Sequence, residues 1–113
     1  MNIVVLHSDP SVAHTIAESL PSLRHTVLTV LTSAGDLPRL FKRHEVDLVI
    51  CGGDYCGEFS ERLFRNRHRC GFTVIPVPVT LTGAHLLEWV HAGVANSLSA
   101  ETYRRRGDYE EQP

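Results

Sequence analysis

Cys56 and Arg62 stand in the C-x5-R spacing of a phosphatase loop, in which backbone amides and an arginine cradle a phosphate around a thiolate. Such a loop begins directly at the end of a strand, whereas Cys56 falls several residues late. Glu58 and Glu61 within the same stretch would also repel a phosphate dianion. A second constellation, Cys51, Cys56, His68 and Cys70, has the residue types of a Cys3His zinc site. Its spacing, C-x4-C-x11-H-x-C, lacks the paired short loops of structural zinc sites, and Cys51 is expected to be buried at a strand end. The seven histidines, at 7, 14, 25, 44, 68, 85 and 91, include no i,i+4 pair with a third ligand. No metal and no cofactor is expected, and no constellation supports an enzyme.

The arginines give a different hint. Arg62, Arg65 and Arg69 recur at i, i+3 and i+7, one face of a helix that can grip carboxylates or phosphates, although a solvated helix face is the commoner explanation of such a pattern. The cationic side chains are ten arginines and a single lysine, Lys42, but the formal net charge of -2 gives no global attraction to a phosphate backbone. Arg104-Arg105-Arg106 is answered by Asp108, Glu110 and Glu111, so residues 101–113 read as a nearly neutral polar tail or linker.

The elements that must position these groups follow from periodicity. With 113 residues, 42% of them hydrophobic, the chain can bury one core, and a single domain over residues 1–100 is expected. Three irregularly spaced cysteines make no disulfide framework, and the apolar run Ile3 to Leu6 is far too short for a signal peptide or membrane span, so a reducing cytoplasm is expected. Asn2 to Leu6 is a continuous apolar run, as a parallel strand covered on both faces requires. Asp9-Pro10 caps and opens a helix carrying Val12, Ile16 and Leu20. Val27 to Leu31 is a second strand, Leu37, Leu40 and Phe41 mark a second helix, and Val46 to Ile50 a third strand. After Gly52-Gly53, Phe59 and Leu63 give a third helix its apolar side, ended by Gly71. Thr73 to Thr80 reads as strand four, Leu86, Trp89 and Val90 as a short helix four, and Ala95 to Leu98 as a weak strand five. The expected fold is α/β, a doubly wound parallel five-stranded sheet of flavodoxin-like type with the fifth helix absent or degenerate.

Three stretches carry a resemblance: residues 3–10 (IVVLHSDP), residues 46–57 (VDLVICGGDYCG) and residues 92–98 (AGVANSL). In order and spacing they resemble the receiver domains of response regulators, in a degenerate form. Gly57 stands five residues beyond Gly52, as the family's loop glycine stands beyond its aspartate, and residues 92–98 resemble the run into the last strand. The resemblance implies an acidic pair holding Mg2+ after strand one, an acceptor aspartate ending strand three, and a lysine and hydroxyl that read the phosphate. Here the acidic pair falls on His7 and Ser8, the acceptor on Gly52 and the lysine on Ala100, and only a hydroxyl at Thr80 or Thr82 remains. Without oxygen ligands for a hard cation or a counter-charge for an acyl phosphate, phosphotransfer at this position is excluded. Asp9 and Asp54 lie near the strand ends, but a helix cap and a turn already explain them.

In a receiver, helices one and five cover the same sheet face, so a missing last helix would leave that face bare. The expected working surface is therefore helix four, strand five and the uncovered face, with Trp89, Val90, Val94, Leu98 and Tyr103 as candidate contacts to a second copy or another protein. Two classes of function remain: a phosphorylation-independent regulatory module acting through protein partners, or a nucleic-acid-associated transcriptional regulator using the arginines of helix three. Neither involves a membrane.

Overall fold

The computed structural model describes residues 2–20 and 26–110, with side chains described except at Leu28, Phe64 and residues 66–70 and 98–110. The described elements run β1 (Asn2–His7), α1 (Pro10–Ser19), β2 (Thr26–Leu31), α2 (Leu37–Arg43), β3 (Leu48–Gly52), α3 (Glu58–Cys70), β4 (Thr73–Pro76) and α4 (Gly83–Glu110). All strand pairs are parallel, in the order β2-β1-β3-β4.

Parallel sheets need cover on both faces, and the apolar runs meet that need by alternation. Ile3, Val5, Leu48, Ile50, Ile75 and Val77 face α1 and α4, where Ala13, Ile16, Leu86, Val90 and Val94 close the layer. Val4, Leu6, Val49, Cys51 and Val74 face the other way, onto Leu37 of α2 and the half-buried Phe59 and Leu63 of α3. Phe41 stacks on Phe72 in that second layer, ring centroids 4.9 Å apart. The N-terminal end of the sheet is laced by backbone and side chain together. Asp47 N donates to Asn2 O and Thr73 N to Asp47 O, each at 2.9 Å, while Asn2 N donates to the Asp47 carboxylate at 2.7 Å.

Helix α1 starts as its sequence dictates. Asp9 Oδ1 accepts from Ser11 N at 2.9 Å and Val12 N at 3.5 Å, and Pro10 occupies the first turn, where a missing N–H costs nothing.

The C-terminal third departs from expectation. Among the described residues the sheet has four strands, not five: residues 95–98 lie inside α4, which continues across residue 100 to Glu110 instead of giving way to an irregular tail. Leu86, Val90 and Val94, four residues apart, form one stripe of this helix on the sheet, while Ala95 and Asn96 face outward. Gly93 lets the helix approach closely, since a Cβ there would lie 2.9 Å from Ile75 Cδ1. Strand four is also shorter than its apolar run. It ends at Pro76, and Val77 adds one last sheet bond, N to Cys51 O at 2.7 Å, before Pro78, which has no N–H to give.

Helix α4 packs on the same face as α1, with His91 Nε2 3.0 Å from Ser19 Oγ. The face expected to be bare is therefore covered. Its placement also accounts for a sheet of four strands among the described residues. Right-handed crossovers put α2 and α3 together on one face, and a further parallel strand outside β4 would need its linking helix on that face too. A helix returning on the α1 face closes the sheet.

Candidate functional site

The strand register sets His7 of β1 beside Gly52 of β3, and Cys51 beside Pro76 of β4, so His7, Gly52 and Val77 form a row across the C-terminal end of the sheet. The alternation of β1 turns all three toward the α1/α4 face. This row lies where strand order reverses between β1 and β3, the crevice in which open α/β sheets take ligands.

His7 is buried, at 8% exposure. Its imidazole lies close against Gly52 and Gly53. A Cβ on Gly52 would overlap His7 Cδ2 and come within 3.0 Å of Nε2, and one on Gly53 would overlap Ser8 Oγ and approach His7 Cε1 to 3.0 Å. Gly53 also holds a left-handed φ of 61°, which glycine adopts without penalty. The ring thus fills the volume in which a side chain at position 52 would stand.

The ring's protonation follows from its contacts. Asp9 N donates to His7 Nδ1 at 2.9 Å, so Nδ1 carries no proton and Nε2 carries it. Burial holds the pKa of His7 below its ordinary value, opposed by the nearby carboxylates of Asp9 and Asp54. The group is a neutral donor. Ser8 Oγ accepts from Asp54 N at 3.0 Å, tying the end of β1 to the turn after β3. Asp9 and Asp54 are themselves exposed.

In front of the row, between the N-terminal turns of α1 and α4, opens a cavity of about 360 Å3. His7 and Gly53 border its polar end, and Val12, Val77, Leu81 and Leu86 form apolar walls. Ser11, Thr15 and Thr82 also line it, and no Lys, Arg, Asp or Glu does. The sequence singled out His7 and Gly52 as departures from an acidic pocket. The cavity itself was not legible, because its walls come from α1, α4 and the loop after β4, brought together only by the return of α4.

The remaining candidate residues are dispersed. Thr80 is exposed in the turn after β4, outside the cavity lining. Ala100 lies within α4, so its place after a fifth strand has no counterpart, and its side chain is outside the described residues. Val90 and Val94, expected at a partner surface, are buried in the core at 0% and 4% exposure. Trp89 is 46% exposed and donates Nε1–H to Pro76 O at 2.8 Å. The side chains of Leu98, Tyr103 and Arg69 fall outside the described residues. Arg62 and Arg65 are exposed on α3, and Arg65 shares a shallow groove beside β4 with Glu61.

Cys51 is fully buried, and its thiol pKa is pushed up to about 12 by burial and secondarily by Cys56. That is the opposite of an activated thiolate. Among the described residues no three His, Cys, Asp or Glu side chains converge on a metal position; His68 and Cys70 have side chains outside that set. No described helix is long and apolar enough to cross a membrane. Comparison with protein-family models, curated proteins and solved structures gives no match to this chain.

Proposed function

We propose that this chain is a receiver-like regulatory module of the cytoplasm, flavodoxin-like in topology, that acts by binding and without phosphorylation. The order β2-β1-β3-β4 is that of the first four strands of the flavodoxin-like sheet, with helices on both faces and the switch between β1 and β3. One observation carries the reading: the His7 imidazole lies over Gly52, occupying the space an acceptor carboxylate would need. A neutral ring there supplies neither a metal ligand set of oxygens nor a nucleophilic carboxylate.

The binding partner is a second protein or a second copy of this chain, taken on the β4 side. There the outer edge of β4 is unpaired among the described residues, and Val79 and Trp89 are the large apolar side chains left exposed, at 71% and 46%. The test has two arms. Intact mass after incubation with acetyl phosphate and Mg2+ is expected to be unchanged, and gain of a phosphoryl group that Asp9→Asn or Asp54→Asn abolishes would overturn the reading. Light scattering at high micromolar concentration reports self-association, and a mass above the monomer that Trp89→Glu returns to the monomer assigns the β4 side to a homodimer.

A further inference from the structure

The cavity at the strand ends has three properties that together specify a ligand. Its volume, about 360 Å3, lies at the small end of the roughly 300–1,000 Å3 typical of ligand clefts. Its walls, from Val12, Val77, Leu81 and Leu86, are aliphatic. At its polar end sits His7, more than nine-tenths buried, whose Nδ1 is engaged by Asp9 N and whose Nε2–H has no protein acceptor among the described residues. A buried donor without an acceptor is unfavourable, and a ligand acceptor would satisfy it.

Charge decides what kind of acceptor. The two helices that flank the cavity, α1 and α4, direct the positive ends of their dipoles toward it, which favours an electron-rich atom. A full negative charge is disfavoured, because Asp9 already caps α1 and its carboxylate, with that of Asp54, acts on His7 at close range. No arginine or lysine lines the cavity to offset them. An uncharged oxygen such as a ketone or amide carbonyl fits both conditions.

We propose that this cavity binds a small neutral molecule of one or two rings, its carbonyl-type oxygen accepting from His7 Nε2–H and its apolar body lying between Val12 and Leu86. This goes beyond the regulatory module above by naming the class of molecule sensed, and it stands on the cavity rather than on the phosphorylation reading. Ligand entry between α1 and α4 bears on both helices that cover one face of the sheet.

The test uses acetylnaphthalene and its isostere ethylnaphthalene, which differ in the carbonyl, titrated into the full isotope-labelled chain and followed by amide NMR. The expected result is saturable shifts at Thr15, Gly53, Leu81 and Leu86, with the ketone binding about fivefold more tightly, the worth of one neutral hydrogen bond. Thr15→Trp, at an exposed rim position of α1, is expected to weaken both probes at least tenfold by filling the cavity. His7→Phe is expected to abolish the preference for the ketone while leaving ethylnaphthalene bound. Equal affinity of the two probes, shifts centred on Glu61, Arg65 and Val74, or binding untouched by Thr15→Trp would each overturn the proposal. Phosphoryl incorporation does not bear on these outcomes, and because Val79 also lines the cavity the titration is run at a protein concentration where light scattering gives the monomer, so the two readings fail separately.

Discussion

Gly52→Ala places one methyl group where the imidazole of His7 lies. The backbone at Gly52, φ -136° and ψ 178°, is ordinary extended chain, so alanine introduces no backbone strain and the whole effect is steric. The new Cβ overlaps His7 Cδ2 and stands 3.0 Å from Nε2 and 3.4 Å from Cγ, so the ring must shift as a body, and it is bounded by Gly53 beneath it. Overpacking of this kind costs about 1–3 kcal/mol. Moving the ring also stretches the Asp9 N to Nδ1 hydrogen bond, worth about 1 kcal/mol. Loss of glycine's freedom in the unfolded chain returns about 0.4–1 kcal/mol. The net destabilisation is about 1–3.5 kcal/mol, which lowers a urea midpoint by roughly 0.5–2 M for a domain whose m value is about 2 kcal/mol/M. Removing the ring removes the conflict. His7→Ala is destabilising alone, but combined with Gly52→Ala the double variant is expected to be more stable than the sum predicts by about 1–2 kcal/mol. Equilibrium urea denaturation of the four proteins checks this. A Gly52→Ala variant within about 0.5 kcal/mol of the parent, or strict additivity with His7→Ala, would falsify the packing of ring on glycine.

Three further outcomes are expected. Because burial lowers the pKa of His7 in the folded state, the unfolded chain takes up its proton first as pH falls below about 6.5. This contribution to stability is complete above that value and is lost as pH falls toward the folded pKa, so His7→Gln is expected to flatten the acid side of a stability–pH profile. Iodoacetamide at pH 8 is expected to modify half-buried Cys56 in the native protein and Cys51 only in denaturant, read by peptide mapping, since the Cys51 thiol is pushed up to about 12. Asn96→Pro, in the middle of α4, is expected to cost about 3 kcal/mol and to reduce helical circular dichroism, whereas an unpaired terminal strand at residues 95–98 would tolerate it with little change.

Much of the fold is local, and that part is legible in the residues. The uninterrupted apolar runs at Ile3–Leu6 and Leu48–Cys51 can be satisfied only by strands covered on both faces. Asp9-Pro10 opens α1 because cap and ring act within one turn. The segment from Ala92 to Leu98 is different. Its alanines, glycine and valine suit a strand or a helix, and a likeness to a receiver's last strand favoured the strand. The i, i+4, i+8 spacing of Leu86, Val90 and Val94 was the available signal for one longer helix, and it is expressed because those three side chains bury against Ile75 and Val77.

By itself the sequence determined that the end of β1 carries an imidazole and the end of β3 a glycine. Only the tertiary structure decided how the two meet. Whether a ring leans on a glycine, whether a donor is left without an acceptor, and whether α4 turns back over α1 to wall off a cavity all depend on contacts between residues 40 to 80 positions apart. Residue type and periodicity report local preference and burial, and they are silent about which distant surfaces meet.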